Sequence, residues 1–83
     1  MDEKAKEGLR EGLRKAQSTR VLHPLEGTSS VTYERDKGYW RARVFILGDR
    51  IFNKTHLSSA RQGYLLAGEA MSYLGELMHE SEY

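Results

Sequence analysis

The chain has 83 residues, the length of one small domain, so folding buries only about 60% of the surface that the unfolded chain exposes. It contains no cysteine, which excludes disulfides, thiolate metal sites and a thiol nucleophile. The first residues are charged throughout, and no run of about 18 apolar residues occurs. We therefore expect a soluble cytoplasmic protein that does not enter a membrane.

Charge is unevenly distributed along the chain. The formal net charge is only +1, but residues 31–64 carry seven basic and three acidic side chains. The residues after Leu65 carry four glutamates and no lysine or arginine. A basic middle followed by an acidic C-terminal segment favours an anionic partner for the middle, and an ordinary solvated surface is the alternative.

The N-terminal segment, residues 2–17, is predicted to form a helix. Its tandem Glu-Gly-Leu-Arg repeat places Leu9 and Leu13 one turn apart. Gly8 and Gly12 each cost roughly 1 kcal/mol relative to alanine in a helix interior, and an isolated helix this short is marginal in water. The helix therefore needs a surface on which to dock.

A connector and a sheet follow this helix. Residues 18–28, which contain the only proline, are predicted to be an extended connector. Residues 29–54 show a period of two and are predicted to form a three-stranded antiparallel meander. A four-residue loop at 35–38 and a turn at Leu47-Gly48 divide the three strands.

These two turns assign each side chain of the sheet to one of two faces. The predicted apolar face consists of Val31, Tyr33, Trp40, Ala42, Val44, Ile46 and Ile51. The predicted polar face consists of Ser30, Thr32, Glu34, Tyr39, Arg41, Arg43, Phe45, Arg50, Phe52 and Lys54. In this register Arg43 lies opposite Phe52.

A long C-terminal helix is predicted over residues 58–80, after a cap at Thr55, Ser58 or Ser59. Its main apolar stripe consists of Ala60, Tyr64, Ala67, Met71, Leu74 and Met78, with a second row at Gly63, Leu66, Ala70, Tyr73 and Leu77. The resulting apolar arc of about 200° is wider than one sheet can cover. We expect the N-terminal helix to pack on the remainder. A homodimer through the C-terminal helix, approaching at Gly68 and Gly75, is the alternative.

Together these elements predict an α+β fold in a single domain, residues 1–83. A three-stranded antiparallel β-meander packs on a long C-terminal helix, with an additional N-terminal helix. His23, His56 and His79 lack the short spacings of local metal sites, and no phosphate-binding glycine loop occurs. We therefore expect no catalytic residues, no metal and no cofactor, and a protein that is not an enzyme.

The predicted polar face carries the functional hypothesis. The candidate nucleic-acid-binding residues are Arg41, Arg43, Arg50, Lys54, Tyr39, Phe45 and Phe52. Basic side chains can contact phosphates or guanine edges, aromatic rings can contact sugars or thymine methyls, and a β-ribbon fits the major groove. In the alternative interpretation, the N-terminal helix lays Leu9 and Leu13 over the two phenylalanines, and the arginines only flank it.

Residues 31–44, Val-Thr-Tyr-Glu-Arg-Asp-Lys-Gly-Tyr-Trp-Arg-Ala-Arg-Val, followed by Leu-Gly-Asp-Arg-Ile at 47–51, resemble the AP2-type DNA-binding domain. They are equally similar to the arm-binding domain of phage integrases of the tyrosine recombinase class. Both families show a strand, a basic loop ending in glycine, Trp-Arg-Ala-Arg, a glycine turn, a third strand and one helix. The resemblance covers about residues 29–75, although Glu34 stands where a basic residue is common. The DNA-contacting positions that it implies are Arg41, Arg43, Arg50 and Lys54.

Two functional hypotheses follow from these observations. The first is a small, non-enzymatic accessory protein of phage or mobile-element type that binds duplex DNA through the polar sheet face. The second is a phage-type inhibitor or adaptor, such as an anti-defence protein, that binds a host protein or nucleoprotein complex. The acidic C-terminal helix, the surplus apolar arc and the low net charge favour the second.

Overall fold

The computed structural model describes residues 1–18 and 27–81, which contain two helices and three strands. They are α1 (Glu3–Gln17), β1 (Gly27–Glu34), β2 (Tyr39–Ile46), β3 (Asp49–Leu57) and α2 (Ala60–Ser81). The strands form one antiparallel sheet in the order β1-β2-β3. The predicted α+β fold is confirmed. Most of the predicted connector, residues 19–26, lies outside the described residues.

Both helices begin at a side-chain cap. The Asp2 carboxylate accepts a hydrogen bond of 2.8 Å from the backbone N–H of Ala5. Ser59 Oγ accepts one of 3.2 Å from the N–H of Gln62, so Ser59 caps α2 among the three candidates. The Gln62 side chain in turn accepts from the N–H of Ser58 at 3.0 Å. These bonds satisfy backbone donors that the first helical turn leaves free.

The predicted register holds in the first hairpin but only partly in the second. Val31 pairs with Ala42 on β2 as expected. In the second hairpin, Phe45 pairs with Arg50 as predicted, but the register shifts immediately afterwards. Arg43 lies opposite Asn53, so the prediction that it faces Phe52 is wrong. One extra residue, Ile51, is inserted in β3, which is a β-bulge.

The bulge reverses the faces of residues 52–54 of β3, and a second register shift follows before Leu57, which pairs with Trp40. Phe52 lies opposite Val44 and is buried, with 7% of its surface exposed. Lys54 lies opposite Ala42 and therefore also belongs to the face that the helices cover, although its side chain is exposed at the sheet edge. Placing Phe52 and Lys54 on the polar face was wrong, because one inserted residue moves the side chains that follow it to the opposite face of the sheet.

Both helices pack on the same face of the sheet. α2 lies over β1 and β2, and α1 lies beside it against β3. The shared core consists of Leu9, Leu13, Ala42, Val44, Ile46, Phe52, Leu57, Ala67, Ala70, Leu74 and Met78. α1 therefore does not lie over the polar face, and the interpretation that placed it there is wrong. Tyr33 and Tyr64, predicted as core residues, are 50% and 66% exposed.

Glycines allow close packing at two places in this arrangement. A Cβ at Gly12 would lie 2.7 Å from Cβ of Ile51, and one at Gly63 would lie 2.7 Å from Cγ1 of Val31. Real Cβ atoms do not approach so closely, so each helix packs against its strand through a glycine. Gly68 and Gly75, where a close helix approach was predicted, have no atom within 4 Å of an added Cβ.

Polar contacts join the two helices. The Arg10 guanidinium donates a 2.8 Å hydrogen bond to the Tyr73 hydroxyl, and Lys6 Nζ lies 5.6 Å from the centre of the Tyr73 ring. The N-terminal ammonium of Met1 lies 3.1 Å from the Glu69 carboxylate. α1 therefore covers part of the surplus apolar arc of α2, as expected.

Candidate nucleic-acid interface

We call the sheet face opposite the two helices the outer face. The pairing places on it Thr28, Ser30, Thr32, Glu34, Tyr39, Arg41, Arg43, Phe45, Arg50 and Asn53. Five of the seven candidate residues therefore lie together, namely Tyr39, Arg41, Arg43, Phe45 and Arg50. Neither α1 nor α2 covers this face, and no other described element crosses it.

Arg41, at the centre of the outer face, is paired with a carboxylate. Its Nη1 lies 3.3 Å from Glu34 Oε1 across the strands, and only 18% of its side chain is exposed. Thr32 Oγ1 donates to the same carboxylate oxygen at 3.4 Å. Glu34 therefore partly neutralises one end of the outer face.

Arg43 lies further along β2, away from that carboxylate. Its Nη2 donates a weak 3.5 Å hydrogen bond to Thr32 Oγ1. Its guanidinium carbon lies 5.9 Å from the centre of the Phe45 ring, within the range of a cation-π contact. Arg50, directly opposite Phe45, is exposed. Positive charge consequently increases from the Glu34 end of the face towards the Arg50 end.

The two arginines on β2 each leave one buried donor group unpaired, which is an energetic disadvantage. The Nε atoms of Arg41 and Arg43 are buried and have no hydrogen-bond partner among the described residues. A buried donor left unpaired costs about 1–3 kcal/mol. A guanidinium that rises off the sheet towards a ligand would expose its Nε group and remove this cost.

Besides Thr28, which the prediction placed in the connector, sequence reasoning missed two residues of the outer face. Asn53 occupies the position assigned to Phe52, because of the bulge at Ile51. The His56 ring packs on Tyr39, with ring centres 4.3 Å apart, and its Nδ1 lies 2.8 Å from Thr55 Oγ1. His56 has a φ of 63°, a conformation that local sequence does not reveal in a non-glycine residue. For the bulge a signal existed, since adjacent apolar residues at 51 and 52 break the alternation.

A second exposed surface lies on α2. Tyr64 and Leu65 are 66% and 58% exposed, which is unusual for large apolar side chains on one helix turn. They line a shallow groove of about 540 Å³ that extends past Gly68 and Glu69 to Tyr73. Glu69 and Glu76 on its rim are offset by Lys6 and the Met1 ammonium, so this groove is close to neutral, unlike the basic outer face.

Within the described part of the chain, no cluster of three or more histidine, aspartate or glutamate side chains could hold a metal ion. The helices described there are too short or too polar to span a membrane.

No protein-family model matches the chain, and no curated protein or solved structure is significantly similar to it. The structure shares with the AP2-type and integrase arm-binding domains a three-stranded antiparallel sheet with helical cover on one face, a likeness of shape only.

Proposed function

We propose that the protein binds duplex DNA through the outer face, with Arg41, Arg43 and Arg50 contacting phosphates or base edges. The observation that supports this proposal is the grouping of three arginines, against one carboxylate, on a sheet face that neither helix covers. Phe52 is excluded from the interface because it belongs to the core, and Lys54 because it belongs to the opposite face.

The dimensions of the sheet suit the major groove. Neighbouring strands lie about 4.8 Å apart, so three strands measure roughly 10 Å across. The major groove of B-DNA is about 12 Å wide and admits β-ribbons. Because both helices lie on the far side, they would not obstruct the approach of the outer face.

DNA contact would change the partners of the central arginines. Arg41 would exchange its Glu34 contact for a phosphate or a guanine edge, and Arg43 would rise from its position beside Phe45. Both movements release an Nε–H that is unpaired in the free protein. Charge-assisted bonds from arginine to phosphate are among the stronger hydrogen bonds in proteins.

A mobility-shift titration with duplex DNA at about 50 and about 200 mM salt tests the proposal. Three phosphate contacts would lower the affinity roughly 40-fold between these conditions. Replacing both Arg41 and Arg43 with alanine should weaken binding and reduce the salt slope by about two. Arg61→Ala is the matched control, because Arg61 is exposed on α2, and it should bind almost like the wild type. Absence of binding at the lower salt concentration overturns the proposal.

We propose protein binding through the α2 groove as a second candidate, in which the chain is an inhibitor or adaptor of a host protein. The exposure of Tyr64 and Leu65 supports it, since burying both against a partner would remove apolar surface from water. Replacing both residues with serine should abolish binding to an isolated host partner, whereas the Arg41/Arg43 variant should keep it. The reverse pattern would contradict this candidate, and sedimentation would show whether the occupant is a second copy.

A further inference from the structure

The bulge at Ile51 gives Asn53 a defined place on the outer face. Asn53 lies directly opposite Arg43 on the neighbouring strand, and its side chain is exposed. Its carboxamide makes no hydrogen bond to any described residue. An exposed carboxamide beside a central arginine is therefore free to take a ligand.

The two side chains are close enough to each other to contact one base pair or two neighbouring ones. Directly opposite residues of an antiparallel pair have Cβ atoms about 4.5–5.5 Å apart. Successive base pairs are separated by about 3.4 Å. Both side chains project from the same face, so their terminal groups can contact the same base pair or two adjacent ones.

Their chemistry is that of base readout. A carboxamide offers one acceptor and one donor, which match N6 and N7 of adenine, whereas a guanidinium matches O6 and N7 of guanine. On the basis of the proposed function, we infer that Asn53 reads adenine, and that the preferred duplex carries this adenine beside the guanine contacted by Arg43.

The test compares two pools of short duplexes whose central positions are randomised. One pool contains adenine and the other 7-deazaadenine, which lacks the N7 acceptor. Competition binding at low salt should show that the wild type prefers the adenine pool, with the best sequences losing roughly tenfold in affinity on substitution. Asn53→Ala should still bind DNA but show no preference between the pools. Lys54→Ala, a change of the next residue on the opposite face, should keep the preference.

The outcomes separate this inference from the proposed function. If the wild type binds both pools equally well, the adenine assignment alone is overturned. The same holds if Asn53→Ala keeps the preference for the adenine pool. Absence of binding to any duplex at low salt overturns the DNA proposal and the inference with it. Because Asn53 is exposed, the alanine variant should fold, which circular dichroism would verify.

Discussion

At the residue scale, two glycines one turn apart in α1 illustrate how the surroundings of a residue determine the effect of its substitution on stability. Judged from the sequence, both glycines disfavour a helix to the same extent. In the structure, an added Cβ at Gly8 meets only the Ile51 carbonyl oxygen at 3.8 Å, whereas one at Gly12 overlaps the Ile51 side chain. The repeat therefore contains one replaceable glycine and one required for packing.

Thermal or denaturant unfolding should show opposite effects of alanine on stability at these two positions. Gly8→Ala should raise the free energy of unfolding by roughly 0.5–1 kcal/mol, because alanine favours the helix. Gly12→Ala should lower it by about 1–3 kcal/mol, because the overlap with Ile51 outweighs the helical gain. Equal effects at the two positions would contradict the docking of α1 on β3.

Glu34 is the residue on the outer face that would oppose the proposed binding of DNA. Its carboxylate lies 3.3 Å from Arg41 Nη1 and would repel a phosphate at that end of the sheet. Glu34→Gln should therefore increase DNA affinity about two- to fivefold at low salt, the effect of one partly exposed ion pair. Fluorescence anisotropy would measure it, with Glu76→Gln on α2 as the control. A weaker complex in Glu34→Gln would mean that the carboxylate is part of the binding surface.

At the element scale, the sequence predicted each helix and strand to within a few residues. Clear turn signals and a period of two were sufficient for β1, β2 and the first hairpin. The second hairpin was predicted correctly only as far as Arg50, because the alternation of apolar and polar residues does not by itself reveal an inserted residue. That one bulge moved Phe52 into the core and brought Asn53 onto the outer face.

The sequence also did not determine on which surface α1 packs. An amphipathic helix with two leucines fits any apolar surface, so the choice depended on what the rest of the fold left uncovered. The bulge supplied that surface, since it turned Phe52 towards the side on which α2 packs, where Ile51 also lies. Leu9 and Leu13 are buried there at 0% and 4% exposure.

An ion pair within α1, beside the contact of that helix with α2, has a titration that can be followed. A hydrogen bond from Arg10 holds the pKa of Glu3 below its ordinary value of 4.5, and the same guanidinium donates to Tyr73 on α2. Because the folded-state pKa is lowered, the contribution to stability is present above the ordinary pKa. It is lost as the pH falls through the lowered folded-state pKa.

Carboxyl NMR titration of single variants would test this assignment. Arg10→Ala should return the Glu3 titration midpoint to its ordinary value. The matched control is Arg14→Ala, which should raise only the midpoint of Glu11, its own partner three residues away. If Glu3 titrated unchanged in Arg10→Ala, the ion pair between Glu3 and Arg10 within α1 would be refuted.

At the scale of the whole molecule, the described residues present two different surfaces on opposite sides. The outer face of the sheet is basic and carries Arg41, Arg43 and Arg50, whereas the exposed side of α2 is apolar and the groove on it is lined by acidic and basic groups alike. Each surface suits a different class of partner. The uneven charge visible in the sequence corresponds to this division.

An NMR titration of backbone amides with a short duplex would show whether the outer face is the surface that binds DNA. We expect chemical-shift changes at low salt to concentrate in β2 and β3, around Arg43, Arg50 and Asn53, and we expect added salt to reverse them. Changes concentrated on α2 between Tyr64 and Tyr73, or no changes at low salt, would contradict this expectation.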